Sequence, residues 1–318
     1  MRIVVTGANG MVGRPACAAL TAAGHIVTAV VRDQSAGQGL AAGTVVAAGD
    51  LTGVTDWTAA LAGAETIVHL AARTHVMAEH AATAEGLYQR ANVGVTMALA
   101  QAALRAGVRR LVFVSSIKVN GERTTGVPFT ADMQPAPEDW YGRSKAEAES
   151  RLLDLAAHGL DVVVLRPPLM YGPGVKGNMA RLFAIANRRL PVPFASISNA
   201  RDILSVDAFA DLITRVVVHP AAPGRIFLAR DGAPVSTPEL FRAIAAALGQ
   251  PAYMLPVPLG LLRLVSRVTG RAAEIERLTG DLEIDDRATR AALDWQPPIT
   301  MAQALANTAS WFKALHGA

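Results

Sequence analysis

Tyr141-Gly-Arg-Ser-Lys145 sets a phenol and an ammonium four residues apart, which on a helix is one turn along a single face. A free tyrosine ionises near pH 10, too high for ready proton exchange at neutral pH; a nearby ammonium favours the phenolate and brings exchange into range. The spacing is therefore one for general acid–base work on an alcohol or a carbonyl. Ser116, just beyond the apolar run Leu111–Val114, adds a hydroxyl that can orient the reacting oxygen. A Tyr/Lys pair of this kind also occurs on ordinary surface helices, so its meaning depends on what the rest of the chain brings to it.

What it brings is a cradle for a dinucleotide. The β-branched run Arg2–Thr6 reads as a buried strand, Gly7-Ala-Asn9-Gly10-Met11-Val12-Gly13 as a glycine-rich turn, and Arg14–Ala23 as a helix closed by Gly24. Gly7 lets the chain turn sharply, Gly10 lets backbone N–H groups approach a pyrophosphate, and Gly13 lets helix and strand pack closely. The positive end of the helix then faces the phosphates.

The remaining elements repeat that rhythm. Strands are expected at Ile26–Val31, Val45–Ala48, Thr66–Leu70, Leu111–Val114 and Val162–Leu165. Helices are expected from Trp57, over Ala84–Ala106 and over Tyr141–His158. Strand and helix alternating at this spacing predict an α/β Rossmann-type, doubly wound parallel sheet, with ligands at the strands' carboxyl ends. After Arg166, prolines at 167, 168, 173, 191 and 193 predict a looped stretch. A helix at Val206–Val217, a strand at Ile226–Ala229 that could rejoin the sheet, and a mostly helical remainder follow. The expected organisation is a dinucleotide-binding domain over 1–168, with 204–230 returning to it. A smaller, mostly helical substrate domain is expected from 169–203 and 231–318.

Bulk properties agree with a globular enzyme. The 318 residues are 51% hydrophobic and 18% charged, and the 30 basic residues are scattered for a net charge of +4. That suits a small anionic ligand and argues against a nucleic-acid platform or stable membrane insertion. One cysteine, Cys17, excludes a disulfide framework, and the absence of a leader pattern predicts a cytoplasmic protein. No His/Cys/Asp cluster has metal spacing, and His69 and Cys17 read as core residues.

Taken together, Thr6–Gly13, Gly49-Asp50-Leu51, His69-Leu70-Ala71-Ala72, Asn92-Val93, Val114-Ser115-Ser116, Tyr141–Lys145, Leu165-Arg166-Pro167, Tyr171–Gly174 and Arg201-Asp202 resemble the extended short-chain dehydrogenase/reductases. That group includes nucleotide-sugar epimerases, dehydratases and reductases. The resemblance implies that Tyr141 is the acid/base, that Lys145 holds the nicotinamide ribose and tunes Tyr141, and that Ser116 polarises the sugar oxygen. It implies that Asp50 and Leu51 flank the adenine, and that Leu70, Ala71 and Ala72 line the cofactor cleft. Asn92, Ser115, Arg166 and Pro168 are carried over as further cofactor-side positions, and a homodimer is expected. His75, Lys118, Asn120, Asn178 and Arg201 are carried over as substrate contacts, the last two for the nucleotide and diphosphate.

Two departures refine the expectation. At the end of the second strand Arg32 stands where NAD-dependent epimerases carry an acidic residue. An arginine accommodates a 2′-phosphate, which favours NADP(H); with Asp33 in the acidic role, NAD(H) stays open. The string Ser115-Ser-Ile-Lys118-Val-Asn120-Gly-Glu resembles bacterial reductases of UDP-4-keto-6-deoxy-N-acetylhexosamines, which points to hydride delivery at C4 with Tyr141 as proton donor. The alternatives are a UDP-hexose 4-epimerase with tightly bound NAD, a non-sugar carbonyl reductase, and a non-catalytic NADP-binding regulator. Lys118 reads either as a solvated loop residue or as a substrate contact. The basic stretch around Arg263, Arg267 and Arg271 reads either as packed into the small domain or as touching a membrane surface.

Overall fold

The computed structural model describes residues 1–53, 55–74, 81–270 and 272–316. Its first half runs β1 (Arg2–Thr6), α1 (Gly13–Ala22), β2 (Ile26–Val31), β3 (Thr44–Ala47), α2 (Thr58–Leu61), β4 (Thr66–His69), α3 (Ala81–Tyr88), α4 (Val95–Arg105), β5 (Arg110–Val114), α5 (Trp140–Ala156) and β6 (Asp161–Arg166). The chain continues through β7 (Leu169–Tyr171), α6 (Gly177–Asn187), β8 (Ile203–Ser205), α7 (Val206–Val218), β9 (Arg225–Leu228), α8 (Thr237–Leu248), α9 (Leu259–Val268), α10 (Ala272–Thr279), α11 (Arg287–Leu293) and α12 (Met301–His316).

Seven strands form one parallel sheet in the order β3-β2-β1-β4-β5-β6-β9. The reversal between β1 and β4 opens a crevice at their carboxyl ends, where Thr6 pairs in register with His69. The near-continuous Val/Ile/Leu runs follow from burial on both faces. Ile3, Val5, Val112 and Leu165 face one core with α1 and α7; Val4, Ile67, Leu111 and Val164 face the other with α4 and α5. Strand β9 pairs with β6, so the chain does return to the sheet as the sequence predicts. A third core gathers Phe183, Phe241 and Phe312 from α6, α8 and α12.

Two expectations are corrected. The stretch from 84 to 106 is one helical path, but a π-helical turn at Gln89–Gly94 separates α3 from α4 and re-aims Asn92. The proline-rich region after Arg166 is not merely looped. It holds α6 and a small parallel pair, β7 with β8, whose three-residue strands are too short to show a pattern in sequence. No helix among the described residues is long and apolar enough to cross a membrane.

Candidate active site

The glycine turn fits its expected shape. Gly7 has φ of +67°, and a Cβ there would sit 2.8 Å from the Ala71 nitrogen on the facing loop. A Cβ at Gly13 would lie 2.3 Å from the Gly7 carbonyl, so only glycine allows α1 to start this close to β1. Asn9 and Gly10 are exposed at the crevice, Met11 and Val12 half-buried, and no side chain caps the first turn of α1. Leu70, Ala71 and Ala72 leave β4 half-buried across from this turn. At the end of β5, the Ser115 hydroxyl is buried with no hydrogen-bond partner in the protein. An uncapped helix start, a cradle cut to backbone dimensions and an orphaned buried hydroxyl fit a dinucleotide here.

At the far side of that cleft, Arg32 is exposed directly after β2. The Asp33 carboxylate is turned into its own chain, accepting from the Ser35 hydroxyl and, at 3.0 Å, from the Ala36 N–H. Those hydrogen bonds hold Asp33 below the usual carboxylate range. Asp50 is likewise bound by Thr52, through its N–H at 3.0 Å and its hydroxyl at 2.9 Å. Leu51 follows, half-buried.

Tyr141 opens α5, whose N-cap Asp139 accepts from the Gly142 N–H at 2.7 Å. The Ser116 hydroxyl hydrogen-bonds the phenol, and the Tyr88 ring stands edge-on with centres 6.3 Å apart. Lys145 is bonded at the end of β5 and not to the phenol. Its Nζ donates to the Val114 carbonyl at 2.8 Å and lies 4.4 Å from the Phe113 ring centre, directed at the end of β5. Burial first, and then the Asp139 charge, push the Tyr141 phenol up, while the Ser116 hydrogen bond pulls the other way. Burial takes Lys145 down to about 7, against the pull of Glu149 one turn on. Burial thus favours the uncharged form of both groups.

Behind this dyad runs a directed hydrogen-bond chain. Thr96 gives its one hydroxyl proton to the Asn92 carbonyl at 2.5 Å, so it accepts from His69 Nε2 at 2.9 Å. His69 Nδ1 then accepts the Thr6 hydroxyl proton at 2.7 Å, and Thr6 accepts the Ala71 N–H at 3.2 Å. Burial, reinforced by the Lys145 charge, lowers His69 to about 3, so the imidazole stays neutral. The Asn92 amide is fully engaged: Oδ1 accepts the Arg73 N–H at 2.8 Å, and Nδ2 donates to the Arg73 carbonyl at 3.1 Å and to Ser144 at 2.9 Å. Ser144 donates in turn to the Tyr141 carbonyl at 2.8 Å. Asn92 thereby ties the loop after β4 to the helix bearing Tyr141 and offers the cleft no free polar group.

Three residues expected at the ligand are held by the protein itself. Arg166 is buried against Glu149, Nε to Oε1 at 3.0 Å and Nη2 to Oε2 at 2.5 Å, with Nη1 on Asn120 Oδ1 at 3.0 Å. Asn120 Nδ2 donates to the Thr130 carbonyl at 2.9 Å. A buried guanidinium needs such pairing, and three of its five N–H groups are engaged by Glu149 and Asn120. Lys118 Nζ is taken by Glu122 at 2.5 Å and Asp139 at 2.6 Å. Pro168 is buried in the turn after β6, and His75 lies outside the described residues.

Asn178 lines a cavity of about 460 Å³ formed by α6, the segment Leu190–Phe194, α9 and α10. Arg201 is not among its lining residues; it donates to the Gly280 carbonyl at 2.9 Å. Sequence reasoning passed over Asp139, Glu149 and Thr96. A carboxylate just before a helix, and a glutamate one turn beyond Lys145, were the available signals for the first two; Thr96 left none.

Comparison with known proteins agrees with this arrangement. Residues 3–229 match the NAD dependent epimerase/dehydratase family. The chain is 40% identical over 314 residues to a UDP-glucose 4-epimerase of Vibrio cholerae, covering 98% of this chain and 95% of that one. It is 31% identical to a UDP-glucose 4-epimerase of Mycolicibacterium smegmatis, covering 98% and 99%. Among solved structures, MoeE5 in complex with UDP-glucose and NAD superposes with a TM-score of 0.78 at 25% identity, covering 99% of this chain and all of that one.

Proposed function

The chain belongs to the NAD dependent epimerase/dehydratase family, and on that premise we propose that it reduces a UDP-linked 4-keto-6-deoxy-N-acetylhexosamine at C4, using NADP(H). The observation that carries net reduction is at the end of β2: Arg32 is exposed while Asp33 is consumed by its own turn, so the ribose 2′ position meets a cation rather than a carboxylate. Members that only interconvert epimers recycle their nucleotide; a 2′-phosphate preference suits one that spends it.

The bound nicotinamide supplies the hydride. Tyr141 gives its phenolic proton to the oxygen that grows at C4, and its raised pKa keeps it protonated for that task at neutral pH. The Ser116 hydroxyl, already on the phenol, hydrogen-bonds the same oxygen. Lys145, poised near neutrality over Val114, takes up its charge beside the phenolate left behind and helps it regain a proton. Asn178, at the cavity wall, contacts the nucleotide end of the substrate.

A second reading is a UDP-hexose 4-epimerase, favoured by the full-length similarity to the Vibrio cholerae protein. One assay separates them. Purified protein is incubated with NADPH or NADH and UDP-4-keto-6-deoxy-N-acetylglucosamine, and separately with UDP-glucose. Consumption of NADPH matching the keto sugar, with no UDP-galactose formed, supports the reductase. Conversion of UDP-glucose without net nucleotide consumption assigns the epimerase. Tyr141→Phe should abolish either reaction while retaining dinucleotide binding.

A further inference from the structure

Helix α9, whose basic stretch reads either as packed into the small domain or as touching a membrane surface, buries Leu262 and turns the rest of its apolar side outward. Successive residues advance about 100° around a helix. Leu264, Val268, Leu261 and Val265 therefore occupy one continuous arc, and they are 59%, 81%, 51% and 51% exposed. Only Leu262 and Ser266, on another side, are buried. Val265 also borders the cavity shared with Asn178, but Leu261, Leu264 and Val268 line nothing. An isolated exposed leucine has no significance; two leucines and two valines on one arc of a ten-residue helix do.

The surroundings select the partner. Arg267 is exposed on the flank of the arc, Arg263 is exposed on the side away from it, and α9 contains no acidic residue. Arg188 and Arg189 are exposed at the end of α6, beside Leu190, which is exposed and lines the same cavity as the inner edge of α9. The nearest glutamates, Glu274 and Glu276 on α10, are paired with Arg181 at 3.3 Å and Arg123 at 3.8 Å. An apolar arc bordered by unopposed arginines complements a surface that is apolar within and anionic without. A second copy of the same face would bring arginines against arginines.

We propose that α9 docks the enzyme on the surface of an anionic lipid bilayer, with Leu261, Leu264 and Val268 in the headgroup–acyl boundary and Arg267 on a lipid phosphate. This goes beyond the catalytic reading and does not depend on it. The cavity bearing Asn178 would then open close to the membrane plane.

Co-sedimentation of the full chain with phosphatidylcholine vesicles, with and without phosphatidylglycerol, tests it. The expected result is pelleting with the anionic vesicles that weakens as salt rises. Arg267→Gln should lose partitioning by about five-fold, from roughly 1 kcal/mol per cation near such a surface. Leu264→Glu/Val268→Glu should fall to the level of neutral vesicles. The substituted residues are exposed, so circular dichroism and turnover of soluble substrate should match the wild type. Failure to pellet with anionic vesicles, or pelleting unchanged by Leu264→Glu/Val268→Glu, would overturn the proposal. So would a lipid-free dimer that the same substitution converts to monomer.

Discussion

The Lys118 ammonium lies 2.6 Å from the Asp139 carboxylate, the group that caps the helix presenting Tyr141. The same residue donates its backbone N–H to Ser116 Oγ at 3.3 Å, and a Cβ at Gly142 would stand 2.7 Å from its carbonyl. Lys118 is thus a clamp between the two halves of the dyad. Its charge also offsets the carboxylate that opposes phenolate formation.

Lys118→Met should therefore raise the phenol further. For the reaction run toward alcohol oxidation, which needs the phenolate, the rising limb of the pH–kcat profile should move up by about one pH unit. Asp139→Asn keeps the cap and should move that limb down. Lys118→Arg should restore it, whereas an unmoved profile in Lys118→Met would assign the clamp a purely structural role.

Lys145 makes the unliganded protein pH-sensitive. Burial lowers its folded pKa to about 7 from an ordinary 10.5, so between these values the unfolded chain binds a proton that the folded one refuses. Stability from this residue rises with pH across that window, by about 1.4 kcal/mol per unit. Denaturant titrations from pH 7 to 9 should show Lys145→Met lacking that slope. Dinucleotide binding in the wild type should be weakened by the substitution at the same time.

His69 works in the opposite part of the range. Its folded pKa of about 3 lies below the ordinary 6.5, so stability is lost as pH falls below 6.5 and the unfolded chain takes up the proton. His69→Leu breaks two buried hydrogen bonds and should cost about 2–4 kcal/mol at pH 7. The gap to wild type should narrow by about 1.4 kcal/mol per unit on acidification, read by thermal melts at stepped pH.

On the proposed use of NADP(H), Arg32 meets the ribose 2′-phosphate. Arg32→Ala should raise the KM for NADPH by about 10- to 100-fold, the worth of a charge-assisted phosphate contact, and leave that for NADH nearly unchanged. Equal effects on both nucleotides would remove the argument for net reduction.

The sheet was legible in the sequence because doubly buried strands must be runs of Val, Ile and Leu, and β1, β2 and β9 fall where those runs fall. The glycine turn was legible because its geometry admits few residues. The π-helical turn before α4 was not, since an extra residue in a helix leaves no mark on composition. Nor was the sequestration of Arg166 and Asn120: an arginine at the end of a strand reads the same whether it meets a ligand or a glutamate such as Glu149, brought to it by the fold. Lys145 was read from its spacing and from the resemblance, and neither says that its amine turns toward Val114. The outward arc of α9 stayed open between two readings for a similar reason, because an amphipathic pattern shows that a face exists and not what covers it.

The pairing of β9 with β6 also limits how this chain can be cut. A fragment ending near Pro168 would contain every glycine of the cradle and the whole Ser116/Tyr141 dyad. It would nonetheless leave the N–H and C=O groups of Val163–Arg166 facing water along a flat, Val-rich margin. Such a margin recruits strands from other molecules, so the excised half should precipitate rather than serve as a minimal nucleotide-binding unit.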